Sequence, residues 1–252
     1  MGLIMKNISR KFIHSLEQLL VNVFPPKVYR QIGFIYELFR SRKSYSQYGE
    51  DLIVSAYFQS IGVEKGTYVD IGGYHPVGIS NTCLLHKSGW TGTAFDIDEF
   101  KLLAFRNIRG NKCKTHLGAV TNQESISSES VPVYKFRRIW SEIDTLSLEA
   151  AETMALQRGI AFDTREVPLL NVKDVFARLG QVDFINIDIE GLDELVLLDI
   201  DLDIAKPSVI VFEDNIHFGG SNKIRKFLGE HGFELLFKSG GSVGYHKTLR
   251  ES

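Results

Sequence analysis

Glycines and carboxylates that fall where β-rich runs end are the residues of this chain best placed to do chemistry. Tyr68-Val69-Asp70-Ile71 runs straight into Gly72-Gly73. Glycines at such a junction let the backbone approach a ligand that side chains would exclude, and in a parallel sheet the crevice lies at the carboxyl ends of the strands. The next run, Thr91 to Phe95, ends in Asp96, whose carboxylate can accept hydrogen bonds from both hydroxyls of a ribose, with Asp98 as the alternative. Two more acidic ends follow, Asp188-Ile189-Glu190-Gly191 and Glu213-Asp214-Asn215. Carboxylates there can take a proton from a hydroxyl, with Asp188 the first candidate, or converge on an oxygen-loving cation such as Mg²⁺ or Mn²⁺ held by Asp188, Glu213 and Asp214. His217 could be the base of a metal-free reaction, and His75 follows the glycine turn closely enough to touch a bound ligand. Plainer readings stand beside these: Glu190 as a helix cap, Glu213 as an ion-pair partner, His75 as a packed or capping residue before Pro76, and His217 as an exposed loop histidine.

The glycine turn is not GxGxxG, because Tyr-His-Pro-Val separates Gly73 from Gly78. The pyrophosphate of a dinucleotide would be poorly served, and an adenosine-bearing cofactor without a diphosphate fits better. The ordered set of strand, Asp70, Gly72, strand and Asp96 points to S-adenosylmethionine.

The elements that must position these residues follow from period and punctuation. Strands are expected near 68–71, 92–96, 115–119, 182–188, 208–213, 233–237 and 243–246, alternating with helical stretches, which predicts an α/β fold with a mostly parallel sheet covered on both faces. The last two runs are separated by Lys238 to Ser242, short enough to join an antiparallel pair at the sheet's end. The interval 120–181 is long for a connection and is expected to carry substrate recognition, with a helix over Ile143 to Arg158 and an aromatic-basic run, Tyr134, Phe136, Arg137, Arg138 and Trp140, suited to a sugar face or a phosphate.

Residues 1–43 stand apart. Apolar residues recur at helical spacing from Ile4 to Val23 until Pro25-Pro26, a second helix is expected over Val28 to Phe39, and eight Lys/Arg face two Glu. Such a basic helical extension suits a cap, a homodimer contact or peripheral contact with an anionic membrane. The remaining residues, 44–252, carry 21 basic and 29 acidic groups, without the basic cluster that nucleic acid would require. The two cysteines, Cys83 and Cys113, form no CxxC pair, and no run of eighteen apolar residues occurs. The expected location is the cytoplasm, with the inner membrane face as a peripheral site.

Four ordered blocks resemble the FkbM family of methyltransferases: Tyr45-Ser46-Gln47-Tyr48-Gly49-Glu50-Asp51, then VDIGGYHP with Ser80-Asn81-Thr82, then Gly89-Trp90-Thr91-Gly92, then Asp183 to Gly191. The resemblance covers about residues 45–215. It implies a Rossmann-like class I methyltransferase fold of seven strands. It further implies S-adenosylmethionine bound by Gln47, Glu50, Asp70, Gly72, Gly73, His75, Asn81, Asp96 and Asp188, and methyl transfer to a hydroxyl of a sugar (a saccharide, a glycolipid or a nucleotide-linked sugar) or a secondary metabolite, in polysaccharide or secondary-metabolite biosynthesis. Glu50 and Asp51, read without the family, would serve as N-terminal charges of a helix over Leu52 to Ile61. Where the family commonly has Glu-Pro after the second strand, this chain has Asp96-Ile97-Asp98, and 120–181 is longer than the family's compact connection. The competing readings are a nucleotide-sugar oxidoreductase on a similar sheet, which the glycine pattern disfavours, and a non-catalytic membrane-associated binding protein working through residues 1–43.

Overall fold

The computed structural model describes residues 44–122, 128–137, 140–141, 143–189, 191–214 and 220–248. The expected N-terminal helices, Arg138, Glu190 and His217 lie outside the described residues.

A seven-stranded sheet forms the frame. Strands β1 (Thr67–Ile71), β2 (Thr91–Asp96) and β3 (Cys113–Leu117) fill one half, and the order is continued by β7 (Phe184–Ile187), β8 (Val209–Glu213), β10 (Ser242–Lys247) and β9 (Phe233–Ser239), giving β3-β2-β1-β7-β8-β10-β9. Every pairing from β3 through β8 is parallel, whereas β10 runs antiparallel to both β8 and β9. The antiparallel strand thus sits one place in from the edge, and β9 takes the edge itself.

Strand alternation divides the side chains between two cores. Val69 and Ile71 pack with Ile185, Ile187, Ile210 and Phe212 on one face, beneath helices α5 (Val172–Leu179), α6 (Asp193–Asp199), α7 (Leu202–Ala205) and α8 (Asn222–Glu230). Tyr68, Ala94, Phe184, Val209 and Val211 occupy the other, against Val54 and Phe58 of α1 (Glu50–Ser60), Leu85 of α2 (Cys83–Lys87) and Phe105 of α3 (Glu99–Arg109). Burial on both faces is why these strands read as continuous apolar runs.

The 120–181 interval is more structured than a loop. Strand β3 stops at Leu117, and after Gly118 the chain leaves the main sheet as β4 (Ala119–Thr121). A Cβ on Gly118 would stand 2.7 Å from the Leu170 side chain and 2.9 Å from the Pro168 carbonyl oxygen, so glycine lets two backbones close up where the chain changes sheets. This β4 pairs parallel with β6 (Phe162–Asn171), which pairs antiparallel with β5 (Ser130–Phe136), to make a second sheet of order β4-β6-β5. The expected single strand over 115–119 is therefore two strands in two sheets.

The expected helix over Ile143 to Arg158 is shorter. Helix α4 spans Leu148–Arg158 and starts where Ser147 Oγ accepts from the Ala150 amide. Ahead of it Thr145 forms a bridge with Tyr134, and Asp144 Oδ1 accepts from the Phe136 amide at 2.9 Å. Pairing with β5 claims the backbone groups that a helix over Ile143 to Leu146 would have used.

Candidate functional site

A cavity of about 770 Å³ opens at the carboxyl ends of β1, β2, β7 and β8 and is walled on one side by the second sheet. Gly72 is at its floor with φ of 84°, donating its amide to the Phe95 carbonyl. A Cβ there would come within 1.8 Å of the Asp188 carbonyl oxygen. Gly73 is not in the cavity wall. It lets the backbone pass Phe105, whose ring would sit 2.9 Å from an added Cβ.

Asp96 lines the cavity and is buried, and its Oδ1 accepts from the Asp98 amide at 2.8 Å. Burial lifts its pKa from the ordinary 3.8 to about 6, with Lys101 pulling the other way. Asp98, the alternative, is engaged elsewhere and is not among the residues lining the cavity. Its carboxylate caps α3 by accepting from the Phe100 amide and pairs with Lys135 of β5 at 2.6 Å, tying the second sheet to the main one. Gln47, Asp188 and Glu213 also line the cavity.

Several residues expected to touch the cofactor are hydrogen-bonded within the scaffold. Asp70 shares a face with Tyr68, so strand alternation turns it into the sheet layer rather than out of the strand's end. Its Oδ1 accepts from Asn186 Nδ2 at 2.9 Å and its Oδ2 from Thr82 Oγ1 at 2.6 Å. Asn81 donates to Asn186 Oδ1 at 2.9 Å and completes the same chain. His75 caps its own turn, since Nδ1 accepts from the Val77 and Gly78 amides at 3.0 and 2.8 Å. That ring nitrogen must be unprotonated to accept, in keeping with a pKa lowered by burial and by Arg109. Glu50 is buried in the Tyr45–Asp51 knot, where its Oε2 accepts from the Tyr48 amide at 2.9 Å. Of that block only Gln47 reaches the cavity.

The acidic strand ends are divided in the same way. Asp214 Oδ2 accepts from the Gly220 amide at 2.6 Å, and Asp214 does not line the cavity. No group of three or more His, Cys, Asp and Glu among the described residues is arranged to hold a metal ion. Of the expected set, Asp188 and Glu213 line the cavity and Asp214 does not.

Other contributors gave no readable signal. Lys101, in the first turns of α3, and Asp144, from the second sheet's connection, both line the cavity and face each other across 3.9 Å. Arg109 ends α3, where a basic residue reads as a complement to the helix dipole. It is in fact buried, donating to the Pro76 carbonyl, Tyr68 Oη, Thr82 Oγ1 and Ser80 Oγ. Trp140 of the aromatic-basic run packs on His75 at 4.5 Å between ring centres and on Phe100 at 5.4 Å, so it braces the glycine turn. Phe136 is core.

The pKa of Asp96 sets a pH signature. Ligand hydroxyls that donate to it bind the carboxylate form, so affinity for an adenosine-bearing ligand is expected to fall below pH 6, approaching tenfold per pH unit, and to level off above 7. Stability takes the opposite sign. A carboxyl whose folded pKa is raised binds more protons folded than unfolded, so the Asp96 contribution to stability is present at about pH 4 and is lost as pH rises through about 6. Titration calorimetry from pH 5 to 8 on the wild type and on Asp96→Asn checks this. The variant's affinity should be flat where the wild type's is steep.

Several solved structures are loosely similar. An O-methyltransferase from Bacillus cereus in complex with SAH is 13% identical, with 93% of this chain and 97% of that chain covered and a TM-score of 0.41. Magnesium protoporphyrin IX methyltransferase from Synechocystis PCC 6803 with bound SAM is 13% identical, with 79% of each chain covered and a TM-score of 0.41. Ribosomal protein L11 methylase from Lactobacillus delbrueckii subsp. bulgaricus is 16% identical, with 78% of each chain covered and a TM-score of 0.37. No curated protein matches the chain. No helix among the described residues is long and apolar enough to cross a membrane. The model of the methyltransferase FkbM domain matches residues 70–235, beginning after the Tyr45–Asp51 block and reaching into β9. With the glycine turn, Asp96 and the Asp188 strand end all inside that span, the chain belongs to the FkbM family of S-adenosylmethionine-dependent methyltransferases.

Proposed function

We propose that the cavity transfers the methyl group of S-adenosylmethionine to a hydroxyl of a neutral saccharide. The observation that carries this reading is the charge of the cavity wall. Its described residues include the carboxylates of Asp96, Asp144, Asp188 and Glu213 against the single ammonium of Lys101. An acidic wall attracts a sulfonium cofactor, and it repels a phosphorylated acceptor. Among saccharide, glycolipid and nucleotide-linked acceptors, it therefore favours those without phosphate near the reacting hydroxyl.

The sheet order separates the two ends of the reaction. Asp96 ends β2 and Asp188 ends β7, with β1 between them, so the two are about 10 Å apart at ordinary strand spacing. The nucleoside belongs on the β2 side, Gly72 lets the cofactor cross the end of β1, and the methyl group faces β7 and β8. There Asp188 takes the acceptor's proton as the sulfonium–methyl bond breaks and the oxygen–methyl bond forms, leaving a neutral thioether. Alignment of donor and acceptor supplies most of the acceleration, and the base adds to it. Asp188 and Glu213 are the cavity's acids on this side among the described residues, and no step of this reading needs a divalent ion.

Transfer of a labelled methyl group from S-adenosylmethionine to matched pairs of neutral and phosphorylated sugars tests the reading. Neutral acceptors should be methylated on oxygen with kcat/KM at least about tenfold above their phosphorylated counterparts. Labelling that is confined to nitrogen, or confined to phosphorylated sugars, would overturn it. Asp188→Asn should lower kcat by about 10²–10⁴ while S-adenosylhomocysteine affinity changes by less than about tenfold. An equal loss in both quantities would make Asp188 a cofactor ligand and not the base.

A further inference from the structure

We propose that Asp144, contributed by the second sheet's connection to α4, is a ligand of the cofactor's adenosine half and takes a hydrogen bond from a neutral donor there, a ribose hydroxyl or the amino group of the base. The inference rests on the reading of this cavity as the cofactor site.

The carboxylate is held by one oxygen and open at the other. Asp144 Oδ1 accepts from the Phe136 amide at 2.9 Å, which fixes the side chain to the end of β5. Asp144 Oδ2 is buried, with no hydrogen-bond partner among the described residues. The cation paired with it, Lys101 Nζ, stands 3.9 Å away, an ion-pair distance that is too long for a hydrogen bond. The side chains of Lys101 and Asp144 are 7% and 3% exposed, so bulk water does little to satisfy that oxygen. A buried carboxylate oxygen without a donor is costly, and the residue lines a cavity large enough for a nucleoside. A donor on the ligand resolves the deficit.

Its position selects the adenosine half. Lys101 lies in the helix that follows β2, and both Lys101 and Asp144 act electrostatically on Asp96 at the end of that strand. The acids that face the transferred methyl group, Asp188 and Glu213, end β7 and β8 on the far side of β1. Asp98, the other acid near Asp144, is occupied by Lys135 and by the Phe100 amide. Asp144 belongs to the long interval, so the second sheet does more than cover the cavity: it adds a carboxylate to the cofactor's own binding site.

Calorimetry on the full chain with S-adenosylhomocysteine tests this in the wild type and in Asp144→Asn, which keeps the Oδ1 acceptor for Phe136. The expected result is about tenfold weaker binding in the variant, the effect of losing one charge-assisted hydrogen bond. Its unliganded thermal midpoint should stay within a few degrees of the wild type. Two altered ligands then name the donor, the inosine analogue for the amino group and the 2′,3′-dideoxy analogue for the ribose. The analogue lacking the group that Asp144 accepts should cost affinity in the wild type and little more in the variant. Wild-type binding with unchanged affinity in Asp144→Asn overturns the proposal and leaves the cofactor site standing. Both analogues costing the variant as much as the wild type also overturns it, as does a rise in acceptor KM with cofactor affinity intact. Failure of the wild type itself to bind would overturn the cofactor site and this proposal together.

Discussion

Gly72→Ala is expected to abolish detectable cofactor binding and to lower the unfolding free energy by several kcal/mol. Two effects add. The residue has φ of 84°, where an L side chain costs on the order of 1–2 kcal/mol. The new methyl would also stand 1.8 Å from the Asp188 carbonyl oxygen, so the ends of β1 and β7 must part by more than an ångström. Relieving the clash breaks the Asp188 amide bond to the Ile71 carbonyl, now 2.9 Å, and displaces the proposed base with it. Binding and chemistry should therefore fail together, whereas the Asp188→Asn change is expected to separate them. Calorimetry with S-adenosylhomocysteine and denaturant unfolding provide the measurements. Gly78→Ala, six residues past Gly72, is the control: an added Cβ meets nothing nearer than His75 Nδ1 at 3.8 Å. A Gly72→Ala protein that binds cofactor within tenfold of the wild type would show that the turn does not form the cavity floor.

Residues at strand ends were legible because their position along the chain is their position in space. Gly72, Asp96, Asp188 and Glu213 all follow a β-rich run directly, and all four line the cavity. Residues one step inside a strand, or within a turn, were read less well. Asp70 has the right type and spacing for a ligand, but period-two alternation aims it sideways at Asn186 and Thr82. His75 likewise spends Nδ1 on the turn that carries it, and Asn81 spends its side-chain amide on Asn186 of β7. Spacing cannot separate a ligand from a brace when both need the same residue type. Asp144 was hidden for another reason. Its place depends on Thr145 pairing with Tyr134 across the second sheet, a contact between residues that local helical pattern in 143–158 overrode. The seven-strand order was readable as a whole, while the departure of the chain at Gly118 into a second sheet left no mark in local composition.

Arg109→Ala should be the most destabilising change away from the cavity, by about 3–5 kcal/mol, because it strips a buried site of its only positive charge among the hydrogen bonds described there. The guanidinium gives Nε and Nη2 to the Pro76 carbonyl at 3.1 and 2.8 Å and its other donors to Tyr68, Thr82 and Ser80 at 3.0, 2.9 and 2.9 Å, while its plane lies 4.5 Å from the Phe105 ring centre. Alanine would leave those acceptors facing an apolar void. Lysine keeps the charge but not the planar fork, so Arg109→Lys should recover less than half of the loss. The deeper consequence runs through Thr82, whose hydroxyl accepts from Arg109 and donates to Asp70. Arg109 and Asp70 are thus a buried ion pair separated by one hydroxyl, and the chain continues through Asn186 to Asn81. Each charge is tolerable because the other is present. Denaturant midpoints for Arg109→Ala, Asp70→Asn and the double variant should therefore show a coupling above about 1 kcal/mol, the double costing less than the sum. Additive losses would mean that the two charges are held independently and that Thr82 relays nothing. The coupling bears on catalysis because the network spans β1, β7, α3 and the Ser80–Thr82 segment, the parts that fix Gly72 against Asp188. A buried polar frame under the glycine turn keeps the cavity floor in one position, so Ser80-Asn81-Thr82 steadies that floor through the backbone it holds.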